Sequence, residues 1–226
     1  MLETTGSGQC RSDLANGTCG FGSAERRQGG VSLNESKAHF AAWSIVSSPL
    51  VIGHDMANDD TYDAAWPVIA NLEAIRVDQT WAGDAGRMVA QSADSEKLTG
   101  IDLYHGAGCE CVWPGQSLPR WTVWAKRLGN GEAAALAINF GTDALPTGSI
   151  SVDAALIFGT NESEGLQERE EDLVLIGSER DIWARAEVTG AAAGSSKTAW
   201  VVPELSAHSS YFVTLKRHAD GSQFAK

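Results

Sequence analysis

From Ser32 onward the apolar positions fall into helical register: Phe40, Trp43 and Val46 recur at three-residue spacing, and Ser32 with Glu35 three positions on is a capping-box signature. The pattern predicts a helix over about 33–47. Ser47-Ser48-Pro49 stops it, because proline restricts the residue before it and cannot continue the hydrogen-bond ladder. Leu50-Val51-Ile52-Gly53 is then a short apolar run, expected as a strand buried on both faces, as in parallel sheets. Asn58-Asp59-Asp60 offers caps for a second helix with Tyr62, Trp66 and Ile69 on one face, which Pro67 is expected to kink or split. Helix, buried strand, helix is the alternation of an α/β fold, and a buried parallel strand needs partners at its edges and cover on both faces.

After Gly86 the period changes from helix to strand. Residues 121–126 and 132–139 flank Gly129-Asn130-Gly131, and Asn-Gly between β-prone runs is a strong hairpin signal. Residues 149–153 alternate by two, and 172–176, 180–188, 197–202 and 211–217 are further strand candidates, with no convincing helix among them. Short strands separated by turn residues predict an antiparallel β-sandwich. The expected fold is therefore α/β over residues 1–86 followed by an all-β domain over 87–226, with 4–30 as a long exposed loop rich in Gly, Ser, Thr and Gln.

Composition narrows the function classes. The 226 residues are 43% hydrophobic and 20% charged, enough to bury a real core. A formal charge of −12, with 17 basic residues scattered along the chain, argues against a nucleic-acid partner and against an acidic lipid surface. No apolar run reaches bilayer-spanning length, so no membrane partner is expected, and the first residues lack the basic and apolar regions of a signal peptide. The eight tryptophans are spread along the chain, which favours core packing over sugar stacking. Cys10 and Cys19 suit a loop-closing disulfide in a secreted protein and free thiols in a cytosolic one. Cys109 and Cys111 are tight for a bridge and lack the second ligand pair of a zinc site, and His54 with Asp55 lacks a third ligand, so neither metal nor cofactor is expected. Gly6-Ser7-Gly8 lacks the setting of a nucleophile elbow, and no phosphate-binding fingerprint occurs. Sequons at Asn16, Asn34 and Asn161 lean toward a secretory route with N-glycosylation.

Several stretches, in order and spacing, resemble the carboxy-terminal part of the α-galactosidase (melibiase) family of glycoside hydrolases. They are Met1-Leu2-Glu3, HFAAWSIVSSPLVIGHDM at 39–56, VIANLEAIRVDQTWAGDAGRMV at 68–89, WTVWAKRLGNGEAAALAINFG at 121–141 and ERDIWA at 179–184. The resemblance implies a (β/α)8 barrel followed by an antiparallel β-sandwich, of which residues 1–86 would be the closing segments of a TIM barrel and 87–226 the β-domain. It implies retaining hydrolysis of terminal α-galactosides by two aspartates on barrel strands to which no segment here corresponds, so the chain by itself is expected to be inactive. Met1 would be the one residue carried to the sugar pocket, as an apolar wall. Asp55, Asp59 and Asp60 match no catalytic motif and read as caps and solvated residues. His39 reads as a helix-packing residue, and Trp81 as packing between domains. The family further implies a secreted, lysosomal or vacuolar setting and allows a homodimer of the full-length fold. An alternative is a non-catalytic β-sandwich that binds carbohydrate or a partner beside a vestigial barrel remnant. The strand-rich part is expected to be the stable one, and residues 1–86 to be poorly soluble.

Overall fold

A computed structural model describes residues 32–52, 59–97, 117–159, 174–189 and 198–218. The first helix, α1 (Leu33–Ile45), begins as its capping box dictates: the Ser32 backbone N–H donates to Glu35 Oε2 at 2.7 Å, and the Glu35 N–H donates to Ser32 Oγ at 3.2 Å. The second, α2 (Asp59–Ile69), contains Pro67 and is not split by it. One backbone bond is lost only two residues from the helix end, and buried Val68 and Ile69 hold the last turn in place. The third, α3 (Leu72–Gln79), is capped by Asn71, whose Oδ1 accepts from the N–H groups of Glu73 and Ala74.

The strands follow. They are β1 (Arg87–Gln91), β2 (Ser95–Lys97), β3 (Ser117–Pro119), β4 (Trp121–Gly129), β5 (Glu132–Asn139), β6 (Ser151–Asp153), then a short helix α4 (Ala154–Phe158), β7 (Ile176–Asp181), β8 (Ala186–Glu187), β9 (Ala199–Val201) and β10 (Ser210–Arg217). Among the described residues a six-stranded sheet runs β1-β4-β5-β10-β7-β8, and its neighbouring strands are antiparallel. Two small antiparallel pairs, β2-β3 and β6-β9, complete the strands. The hairpin expected between β4 and β5 is present. Asn130 and Gly131 take φ of 53° and 71°, the pair of positive values that a tight two-residue turn matching strand twist requires.

β5 explains why the fold has three layers. Ala133, Ala135 and Ala137 face a core with Val123, Val213, Leu215, Ile157, Trp200 and Val152, the last three from α4 and the β6-β9 pair. The alternate residues Ala134, Leu136 and Ile138 face a second core with Phe40, Ile45, Val68 and Val77 from the three long helices, together with Phe212 and Ile182. A strand without polar alternation is one covered on both sides. The boundary expected near residue 87 falls between α3 and β1, and the second core is built from both sides of it.

Four expectations need correction. The run 180–188 is not one strand: Asp181 Oδ1 accepts from the N–H groups of Trp183 and Ala184 at 2.8 and 2.9 Å, turning the chain between β7 and β8. The strand expected over 172–176 starts only at Ile176 within the described residues, with 172 and 173 outside them. A helix, α4, interrupts the β region. Its five residues are too few to show a period, and it is fixed by an Asp153 cap and by Gly159 at φ 72°. Finally, Val51 and Ile52 are 58% and 39% exposed instead of buried on both faces, while Leu50 packs against the helical core and Gly53 lies outside the described residues.

Candidate functional site

Two concave places stand out among the described residues. The first is a polar crevice of about 290 Å³ where α3 meets the outer part of the sheet. Glu73 and Arg76 project from α3 toward Arg180 on β7 and Glu132 on β5. The Arg180 guanidinium donates to both Glu73 oxygens at 2.9 and 2.7 Å, and the Arg76 guanidinium to both Glu132 oxygens at 3.1 and 2.8 Å. Arg180 also reaches Glu187 Oε1 at 3.5 Å and the Arg185 carbonyl at 2.8 Å. Three carboxylates in a hollow invite comparison with a glycosidase centre, which needs one of its acids protonated at working pH. The chemistry here runs the other way. Arg76 holds the Glu132 carboxyl below the usual carboxylate range, and each of the three acids already faces a guanidinium. The crevice fastens α3 to the sheet.

The second place is a mainly apolar groove of about 380 Å³ between α1 and the β4–β5 part of the sheet. Ala38 and Ala42 form one wall, Trp124, Ile138 and Phe140 the other, with Glu35, His39, Asn139 and His208 at polar points along it. Asn139 is committed: its amide donates to the carbonyls of Asp143 and Ser206, and its oxygen accepts from the Gly141 N–H. His39 Nε2 accepts from Trp43 Nε1 one turn further along α1 at 2.8 Å, with the rings edge to face. Glu35 is engaged by the capping box.

Two polar clusters, one buried and one half-buried, tie the layers together. Lys126 on β4, 1% exposed, donates from Nζ to the carbonyls of Val77 and Asp78 in the last turn of α3, where a cation meets the negative end of the helix dipole. Burial pushes Lys126 down from its ordinary value and pushes the carboxyl of neighbouring Asp78 up. On the opposite face of the sheet, Glu179 Oε1 accepts from Trp200 Nε1 at 3.1 Å and from the Tyr211 hydroxyl at 2.8 Å, beneath a Trp200–Tyr211 stack. Burial first, and then the Glu179 charge, push the Tyr211 phenol far above its ordinary value.

Of the residues singled out from the sequence, Asn34 is exposed in the first turn of α1, and Asp59 opens α2. Trp81, expected to pack between domains, is 66% exposed: Thr80 leaves α3 in an extended conformation and carries the next side chain away from the helical core. Met1, Cys10, Cys19, Asn16, Asn161, His54, Asp55, Cys109, Cys111 and the Gly6-Ser7-Gly8 run lie outside the described residues. Among the described residues no three metal-capable side chains cluster, and no helix is long and apolar enough to cross a membrane. The α3 fastenings had no local signal, because Glu73 and Arg180 are 107 positions apart and Arg76 and Glu132 are 56 apart.

Known proteins resemble this chain in parts of its sequence and in its fold. No family model matches it. It is 36% identical over 73 residues to an α-galactosidase of Cyamopsis tetragonoloba, covering 32% of this chain and 17% of that protein. It is 32% identical over 84 residues to the α-galactosidase mel1 of Schizosaccharomyces pombe, covering 37% and 18%. The chain thus matches about a sixth of the length of these curated relatives. Among solved structures, a β-L-arabinopyranosidase from Geobacillus stearothermophilus superposes with a TM-score of 0.57 at 18% identity, over 98% of this chain and 37% of that one. α-Galactosidase I from Mortierella vinacea gives 0.55 at 17% identity, over 84% and 37%. The resemblance to α-galactosidases read from the sequence stands, over part of the chain, and the fold is that of part of these enzymes.

Proposed function

We propose that this chain is part of an α-galactosidase-like retaining glycoside hydrolase, to which it contributes scaffold and not the catalytic pair. The observation that carries the reading is the sequence similarity to α-galactosidases of plants and yeasts, in the company of a matching fold. In this reading residues 1–86 are closing segments of a (β/α)8 barrel, residues 87–226 are the β-domain, and Met1 forms an apolar wall of the sugar pocket. The complete enzyme removes terminal α-galactosyl residues with retention, without a cofactor, in a secretory or vacuolar setting.

The described carboxylates support a scaffold role. The acids of the crevice are engaged by arginines, and Glu179 is engaged by Trp200 and Tyr211. The purified chain is expected to release no chromophore from a nitrophenyl α-galactoside above a mock preparation, and turnover well above it would overturn the reading.

A second reading has its own observation: the groove between α1 and the sheet presents Trp124 and Phe140 beside polar side chains, a composition that sugar-binding surfaces share. A non-catalytic carbohydrate-binding module would then show heat of binding with galactose or raffinose that is lost in Trp124→Ala. Absence of binding at millimolar sugar removes this alternative.

A further inference from the structure

We propose that Asn34 carries an N-linked glycan, and that the glycan is added before α1 forms. The motif is Asn34-Glu35-Ser36, and the helix that contains it separates its three residues by environment. Asn34 is exposed on the first turn, and among the described residues its side chain has no hydrogen-bond partner. It lies one turn before Ala38, which lines the groove, and its own side chain is exposed and not among those that line it. Ser36, by contrast, is only 2% exposed, its backbone N–H donates to the Ser32 carbonyl at 2.8 Å, and Glu35 is tied to the Ser32 N–H.

The chemistry sets the timing. The Asn34 amide nitrogen attacks the anomeric carbon of a lipid-linked oligosaccharide diphosphate; the new C–N bond forms as the C–O bond to the diphosphate breaks, and the amide proton leaves to a base on the transferase. The transferase must also engage the Ser36 hydroxyl. In the finished helix that hydroxyl is buried and the residue between is locked, so the acceptor is competent only in the unfolded chain. The folded helix then keeps the modified side chain in solvent.

The full chain, directed into a yeast secretory pathway behind a cleavable leader, should yield Asn34 glycopeptides in most molecules by mass spectrometry. Asn34→Gln should remove one glycan without lowering the amount secreted. Ser36→Ala should abolish occupancy at Asn34 in total intracellular chain as well as in secreted chain, which keeps the readout independent of folding. Chain folded in a bacterial cytosol and then offered to purified transferase with its lipid-linked donor should remain unmodified at Asn34. Secreted chain with a bare Asn34 would overturn the proposal, and efficient transfer to the folded chain would overturn its timing. Galactosidase assays do not enter either result, so this site and the hydrolase reading stand or fall separately.

Discussion

At the scale of single residues, the structure keeps one carboxyl where burial opposes its charge, and the consequence can be measured. Asp78 is 7% exposed; one carboxylate oxygen accepts from the Gln79 amide and the other is without a hydrogen-bond partner. Its folded carboxyl therefore prefers to hold its proton. A raised folded value means the group's favourable contribution is complete below the unfolded value and is lost as pH rises through the folded one. Asp78→Asn removes that loss. We expect its urea midpoint to match the parent at about pH 3 and to exceed it at about pH 7, where the ordinary carboxylate is ionised; a deficit that grows with pH would refute this. Glu179 makes the opposite case. Truncation in Glu179→Ala leaves the Trp200 indole N–H and the Tyr211 hydroxyl without their shared acceptor, which costs about 1–3 kcal/mol for a stranded buried donor. Glu179→Gln, which keeps an acceptor oxygen, should recover most of the lost midpoint.

At the scale of elements, what could be read from the sequence was whatever has a local cause. The α1 start followed from Ser32 and Glu35 and the β4–β5 turn from Asn130-Gly131, because each depends on residues within a few positions. The burial of β5 on both faces was not read, because the helices and the β6–β9 pair that cover it come from distant parts of the chain. Ser32→Ala should accordingly cost about 1 kcal/mol, read as a lower midpoint in chemical denaturation, since the cap supplies a partner that helix N–H groups otherwise lack. The β7–β8 turn was missed because Asp181-Ile182-Trp183 carries β-prone neighbours, and only the aspartate's bonds to two backbone N–H groups reveal the reversal. The position of α3 could not be read at all. It is set by Arg76–Glu132, Glu73–Arg180 and Lys126, pairs made only once the sheet has assembled. Of these, Arg76–Glu132 is half open to solvent, with Arg76 at 49%, so screening leaves it a few tenths of a kcal/mol, and Glu132→Gln should shift the midpoint only slightly. Neither the groove nor the crevice was legible in the sequence, because each joins a helix to strands more than 50 residues further along the chain.

At the scale of the whole molecule, the decisive feature is that the six-stranded sheet has two cores and the helices own one of them. The sequence suggested that the strand-rich part would be the self-sufficient one, but the packing argues otherwise. Removing residues 1–86 would bare Leu136, Ile138, Ile182 and Phe212 on one face of the sheet, all of them buried beneath α1, α2 and α3 in the intact chain. Each large apolar side chain returned to water costs about 1.5–3 kcal/mol, so four of them approach the 5–15 kcal/mol that holds a typical domain together. The remaining core, around Trp200, Ile157 and Leu215, would be left supporting a sheet with an apolar open side, and such a surface associates with others like it. We therefore expect a chain of residues 87–226 to sediment as aggregates or to bind a hydrophobic dye strongly, while a chain of residues 32–226 remains dispersed and binds it weakly. Changing Leu136, Ile138 and Phe212 together to polar residues in the shorter chain should restore its dispersion, because the face no longer calls for cover. Cooperative unfolding of the unsubstituted 87–226 chain as a monomer would show that the helices only rest on the sheet, and that the stability of the β-domain is its own.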